Sequence, residues 1–283
     1  MDFQLVFNGI ALGSVLALAA IGLTVTYGIL RLSNFAHGDF MTLGAYLTWS
    51  INTNGVNIWL SILIGVAGTI LGMLIAEFLL WRPMRARRAD STSLIIISIG
   101  LALFLRSGIL FIWGSSNKSY DLPVVSALEI GDVKLAYYRV IGIVLSIIAI
   151  AALHFLLQKT KIGKAMRAVA DNIDLARVSG INVERVVLWT WIITGTLTAL
   201  AGGIYGLITV VRPNMGWFLI LPMFASVILG GIGNVYGAIV GALVIGLAQE
   251  LSIPILGSEY KLGVALLIMI LILFIRPQGL FKS

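Results

Sequence analysis

Four stretches of this chain run without a charged side chain: Phe3–Leu30, Phe40–Ala76, Val186–Val211 and Pro213–Gln249. A bilayer core about 30 Å thick needs about 20 apolar helical residues to cross it, and each stretch reaches that length. A soluble domain of this size would show polar faces between its apolar stripes. Apolar runs and the breakers between them predict helices near 5–30, 34–51, 58–81, 94–113, 138–157, 186–210, 217–250 and 261–276. The seventh region is too long for one simple span, and Gly230-Gly231-Ile232-Gly233-Asn234 in its middle should break it. The expected fold is all-α: a polytopic integral membrane protein of about eight transmembrane helices with a broken, glycine-rich seventh region. It is read as one transmembrane domain over residues 1–283.

Composition agrees with the pattern. Hydrophobic residues make up 59% of the sequence and mean hydropathy is +1.04, outside the range of ordinary soluble domains. The net charge of +7 does not point to nucleic acid, because the cations sit between apolar tracts, where they orient a membrane protein. Arg82, Arg85, Arg87 and Arg88 cluster after the third helix, and Lys159, Lys161, Lys164, Arg167, Arg177 and Arg185 after the fifth. If the broken region crosses and returns, these residues share one side with Arg31, Arg276 and Lys282, thirteen of the 19 Lys and Arg. Five others, Lys118, Lys134, Arg139, Arg212 and Lys261, fall opposite, and Arg106 lies within a span. The positive-inside rule then makes 158–185 the main cytoplasmic loop and 114–137 the main external one, with the N-terminus outside and the C-terminus inside. With no basic run before the first apolar tract, that tract is expected to remain as a helix rather than be cleaved as a signal.

Glycines at four-residue spacing (Gly9/Gly13, Gly68/Gly72, Gly202/Gly206, Gly233/Gly237/Gly241) predict close helix packing. A weak echo links Gly38-Asp39-Phe40-Met41-Thr42-Leu43-Gly44-Ala45 with Gly231-Ile232-Gly233-Asn234-Val235-Tyr236-Gly237-Ala238, as two related halves would.

Candidate chemistry is sparse. The absence of cysteine excludes disulfides, thiol catalysis and thiolate metal sites. There is no H-E-x-x-H, no G-x-S-x-G and no G-x-x-x-x-G-K-[ST], so no enzyme or ATP motor is expected, and neither a metal nor a cofactor bound by this chain. Asn34, His37, Gly38 and Asp39 place polar groups at the entrance of a span. They either cap and anchor a helix start or line a gate, with a proton relay as a further option. Gly231, Gly233 and Asn234 belong to the same candidate pathway through the broken region. Arg106 either pairs with a carboxylate inside the bundle or snorkels to the interface. In the 158–185 loop, Ala165, Ala168, Asn172, Leu175, Ala176 and Ser179 recur at helical spacing. Lys164, Arg167, Asp171 and Asp174 form the opposite face, with Arg167 and Asp171 paired at i,i+4. Gly180 ends this helix and Asn182 caps the next. Such a small-residue stripe lies flat on the membrane or docks in a partner's groove.

Several stretches, in order along nearly the whole chain, resemble the permease subunits of bacterial high-affinity branched-chain amino-acid ABC transporters, the shorter of the two paired permeases in particular. These are Leu32-Ser33-Asn34-Phe35-Ala36-His37-Gly38-Asp39-Phe40 with Leu43-Gly44-Ala45-Tyr46, Trp81-Arg82-Pro83-Met84-Arg85, Gly163–Asn182, Leu229-Gly230-Gly231-Ile232-Gly233-Asn234 with Gly237-Ala238, and Arg276-Pro277-Gln278-Gly279-Leu280-Phe281. Two features depart from that pattern. Ala168-Val169-Ala170-Asp171 replaces the Glu-Ala-Ala opening of the general coupling motif, and Arg106 stands where a neutral polar residue is expected. The resemblance implies an inner-membrane importer. An external binding protein delivers a branched-chain or other neutral amino acid, and this chain with a second permease (a homologue or another copy) encloses the path. Two cytoplasmic ATP-binding subunits use the ATP and drive the cycle through the 163–180 segment, with Gly163, Lys164, Ala165, Ala168, Ala170, Asp171, Ala176 and Gly180 in the coupling loop. Related permeases carry urea or short amides. The competing class is an ion-coupled secondary transporter using His37 and Asp39.

Overall fold

A computed structural model describes residues 2–123, 125–126, 128–130 and 133–281. Among the described residues, seven helices are long and apolar enough to cross a membrane. They are α1 (Asp2–Leu30), α3 (Ile58–Ala76, continued by a π turn Glu77–Trp81 and α4, Arg82–Ala86), α5 (Ser91–Trp113), α6 (Tyr137–Lys159), α9 (Val183–Ile208), α11 (Val235–Leu251, continued by α12, Ile253–Leu256) and α13 (Lys261–Ile275, preceded by a 3-10 turn). Two further helices, α2 (His37–Asn52) and α10 (Met215–Gly230), have 16 residues each. At about 1.5 Å per residue they extend only about 24 Å. The expectation of about eight spans thus becomes seven long helices and two short ones. The broken region separates into α10 and α11 at Gly231–Asn234, as its glycines require: Gly231 and Gly233 have φ of 106° and 92°. A two-stranded hairpin, β1 (Leu128–Ile130) with β2 (Val133–Leu135), adds to the all-helical plan in the 114–137 segment. Lys282, placed among the cations above, lies outside the described residues.

The centre is α1 against α9: 67% and 72% of their apolar spans lie inside the bundle, against 17% for α6 and 6% for α13. Apolarity cannot distinguish core from lipid, so the buried faces are marked by small and hydroxyl-bearing residues. Thr26 and Thr194 are 3.0 Å apart across the central pair. Gly9, Gly13 and Gly246 bring α1 and α11 together so closely that a methyl group at Gly13 would lie 3.0 Å from the Leu243 Cα.

The molecule is built from two inverted halves. Helix ends recur at an offset of 178 residues: Leu30 and Ile208 end α1 and α9, His37 and Met215 begin α2 and α10, Asn52 and Gly230 end them. Packing repeats with them. α1 packs on α11 as α9 packs on α3, α2 on α9 as α10 on α1, α2 on α3 as α10 on α11, and α2 on α5 as α10 on α13. α1 and α9 run antiparallel, since Gly22 meets Thr198 while Thr26 meets Thr194. The echo of Gly38 with Gly231 is therefore corrected: the structural counterpart of Gly38 is Gly216. A better sequence signal at this offset is Tyr27-Gly28-Ile29-Leu30 against Tyr205-Gly206-Leu207-Ile208, followed by Gly38/Gly216 and Phe40/Phe218.

Candidate functional site

The two halves meet where the short helices begin. After α1 ends at Leu30, residues 31–36 turn back into the bundle, and α2 starts beside Ala19, eleven residues or about 16 Å back along α1. His37 and Asp39, expected at a span entrance, thus lie deep inside. His37 is fully buried; its Nε2 donates to the Ala19 carbonyl (2.9 Å) and lies 3.2 Å from the Thr198 hydroxyl. Asn34 is not the N-cap. Ala36 occupies that position, and the Asn34 side chain accepts from the Ala36 N–H two residues on. Asn34 Nδ2 and His37 Nδ1 are buried without a hydrogen-bond partner among the described residues.

The first turn of α10 crosses the first turn of α2. Thr42 Oγ1 accepts from the Gly216 N–H (3.0 Å), and a side chain at either Gly38 or Gly216 would strike the other's carbonyl. Only glycine permits this approach. Asp39, in the same turn, is 1% exposed and accepts two hydrogen bonds of 3.1 Å from Nε and Nη2 of Arg106 on α5. The Arg106 guanidinium also lies 4.6 Å from the ring centre of Trp217 on α10. Of the two readings of Arg106, the paired one holds, and the pair fastens α5 to the crossing. An uncompensated charge at this depth would be expensive, which is why the acid and the base occur together.

A second buried acid was not among the candidate site residues read from the sequence. Glu77, at the π turn, binds the Arg85 guanidinium and accepts from Trp191 Nε1 (2.7 Å). Trp191 in turn stacks on Trp81 at 6.4 Å. The signal was available: Glu77 is the first charge after a 37-residue uncharged stretch, followed at once by the basic turn.

Beyond the C-terminal end of α9, on the side away from residues 161–178, opens a cavity of about 860 Å³. Its lining includes Arg106, Arg212, Lys261, Asn117, Asn214 and Leu219. The segment after α5 is tied to its rim, since Lys118 and Val211 exchange backbone hydrogen bonds of 2.9 Å. Tyr120 donates to the Ala45 carbonyl (3.3 Å), and burial pushes its phenol well above the usual range, so it stays a neutral donor. The polar groups of the broken region lie elsewhere, on the side of residues 161–178. Asn234 caps α11 through Gly237 N–H (2.9 Å). The C-terminal tail caps α10, with Leu280 and Phe281 N–H groups donating to the Leu229 and Gly230 carbonyls. Gly231 packs against the Phe281 carbonyl, whereas Gly233 faces open space. Asn34, His37, Gly38 and Asp39 therefore form one cluster, and Gly231, Gly233 and Asn234 another.

The 163–180 segment is two helices, not one: α7 (Lys161–Asp171) and α8 (Ile173–Val178). Asn172 leaves the helical conformation and caps α8, accepting from Asp174 and Leu175 N–H groups at 3.0 Å. α7 lies with Gly163, Met166 and Val169 buried against the bundle, and Ala165, Ala168 and Ala170 pack on the same core. Ala176 is also buried. Of the small-residue stripe, Ala165, Ala168 and Ala176 thus face inward, whereas Asn172, Leu175 and Ser179 are exposed. Lys164 and Asp171 are exposed, and Arg167 donates to the Leu157 carbonyl in place of the expected pair with Asp171. The apolar residues that α8 leaves in the open are Leu175 and Val178, 62% and 80% exposed, with Ile173 beside them. Gly180 (φ 85°) ends the segment and Asn182 caps α9 through Arg185 N–H, as the sequence predicted.

Comparison with known proteins fits this arrangement. The family described as branched-chain amino acid transport system, permease component, matches residues 5–273. The high-affinity branched-chain amino acid transport system permease proteins LivH of Salmonella typhimurium and of Escherichia coli K12 are each 32% identical over 295 residues, 98% of this chain and 94% of the relative. BraD of Pseudomonas aeruginosa is 29% identical over 298 residues with the same coverage. No solved structure matches. With a family match across most of its length and relatives aligned end to end, the chain belongs to the permease components of branched-chain amino acid transport systems.

Proposed function

We propose that this chain is the membrane-embedded subunit of an importer in the inner membrane that carries branched-chain or other neutral amino acids. The substrate is delivered by an external binding protein, and the import is driven by two cytoplasmic ATP-binding subunits. The chain binds no cofactor of its own, and a second permease, a homologue or another copy, completes the path. The observation that carries the reading is the α8 turn. On the face that collects most of the cations, an otherwise membrane-embedded chain of this family leaves Leu175 and Val178 in the open. A surface of that kind fits a partner's groove. α7, seated on α6, α9 and α1, would pass the motion of a docked ATPase to the central helices. Asn34, His37, Gly38 and Asp39 are the gate residues in this reading, acting at the crossing of α2 and α10, and Gly231, Gly233 and Asn234 form the hinge between α10 and α11. The ion-coupled alternative is not favoured: Asp39 is held by Arg106, and His37 is enclosed.

The orientation places α7 and α8 in the cytoplasm, with the N-terminus outside and the C-terminus inside. In intact cells, an impermeant maleimide is expected to label Ser116→Cys and to spare Ala86→Cys. For the coupling surface, Leu175→Glu with Val178→Asp is expected to leave the chain inserted while the ATP-binding subunits no longer co-purify and leucine uptake is lost. Normal co-purification would place docking elsewhere. Uptake of labelled leucine, alanine and urea in a deletion strain, with and without the binding protein, tests the substrate class.

A further inference from the structure

The 860 Å³ cavity is within the size range of small-molecule sites, about 300–1,000 Å³, and its charges are unequal in one informative way. Three cations line it. Arg106 is neutralised by Asp39 through two hydrogen bonds of 3.1 Å. Lys261 is neutralised by Glu250 at 2.6 Å. Arg212 has no carboxylate partner among the described residues, and its side chain is exposed on the 209–214 link. The cavity therefore carries a single uncompensated guanidinium at its rim. Around it stand neutral hydrogen-bonding groups, Asn117 and Asn214, and apolar ones, Leu110 and Leu219. A guanidinium binds a carboxylate through two parallel N–H···O bonds, and an aliphatic wall accepts an alkyl side chain without discriminating strongly among its shapes.

We propose that this cavity is the receiving subsite for a monocarboxylate with an aliphatic side chain, a neutral amino acid, whose carboxylate is held by Arg212. This deepens the permease reading above and rests on it. The arrangement explains why the other two cations are internally paired. Three free cations would favour di- and tricarboxylates, whereas one free cation matches one carboxylate. It also gives the departure at Arg106 a role that does not require substrate contact: Arg106 is a fastening residue, committed to Asp39.

The test uses the assembled permease–ATPase complex without the binding protein, and a single reporter, Val210→Cys, on the cavity wall. Leucine at ten times its Kd is expected to slow maleimide labelling of this cysteine about tenfold. Leucinamide, which lacks the carboxylate, is expected to leave the rate unchanged at the same concentration. Arg212→Gln is expected to weaken protection by leucine about tenfold or more, and Arg212→Lys is expected to retain part of it. Ser115→Cys, a reporter elsewhere on the lining, should give the same ranking. Equal protection by leucine and leucinamide, full protection in Arg212→Gln, or no protection by leucine would each overturn the subsite. Leucine uptake by the same complex with its binding protein separates the two levels. If uptake persists while protection fails, the subsite falls and the permease reading stands. If no neutral amino acid is transported at all, the permease reading falls.

Discussion

Two six-residue links hold matching places in the two halves, and one is largely buried while the other is largely exposed. Residues 31–36 join α1 to α2, and residues 209–214 join α9 to α10. In the first, Leu32, Asn34 and Ala36 are 2%, 0% and 0% exposed, and Ser98 of α5 closes over it by accepting from Phe35 N–H. In the second, Thr209, Val210, Arg212 and Asn214 are exposed and line the large cavity. The topology is the same, so topology does not explain the difference. What differs is the helix packed over each link: α5 covers the first, while the second is left uncovered by α13, its counterpart. Inverted repeats give a transporter two such arrangements to exchange. In the present one the second link lines the larger cavity, of about 860 Å³, whereas of the first link Arg31 alone borders a smaller one, of about 610 Å³, beside α7 and α8.

The contact between halves is the most sensitive point of this comparison. Gly216→Leu is expected to abolish both assembly and uptake, because its side chain would enter the Gly38 carbonyl. Wild-type amounts of active protein in membranes would show that the short helices do not cross. Next in size is the charge pair that fastens α5. Asp39→Asn is expected to destabilise by about 3–5 kcal/mol, as removal of one partner of a buried pair does. Asp39→Leu combined with Arg106→Leu should recover much of this, measured as soluble monodisperse complex after heating in detergent. Equal losses in the single and double variants would deny the coupling. The smallest test compares equivalent glycines. A methyl at Gly28 meets nothing within 4 Å, while at Gly206 it would enter the ring of Tyr120. Gly28→Ala should be neutral or slightly stabilising, by up to about 1 kcal/mol. Gly206→Ala should cost about 1–3 kcal/mol, read from the same thermal assay.

The long spans were legible because lipid makes a single demand, twenty apolar residues, that charge gaps reveal directly. The break at Gly231–Asn234 and the cap at Asn182 were legible, since each depends on local backbone chemistry, whereas Asn172, read as part of one helix, instead breaks it and caps α8. The depth of α2 was not. Nothing local distinguishes a helix that starts at the interface from one whose link folds back beside α1, because the burial of His37 and Asp39 is supplied by Ala19, Thr198 and Arg106, far away in sequence. The facing of α7 was misread for a related reason. Its alanines are small enough for either a partner groove or the bundle, and only Met166 and Val169, the larger residues, decide which way it turns. Glu77 was left out of the candidate site because a lone acid at the end of an apolar run looks like an interface anchor until Trp191 and Arg85 converge on it.

The central claim, that one link is largely exposed and its equivalent largely buried, is tested most directly by two single cysteines at the same place in each half. Leu32 and Val210 are separated by the 178-residue offset and are 2% and 37% exposed. In the nucleotide-free complex without substrate, a membrane-impermeant maleimide added to both faces should label Val210→Cys readily. Leu32→Cys should react slower by at least about the hundredfold that an opening of about 3 kcal/mol imposes. Comparable labelling rates at the two positions, or faster labelling at Leu32→Cys, would contradict the account.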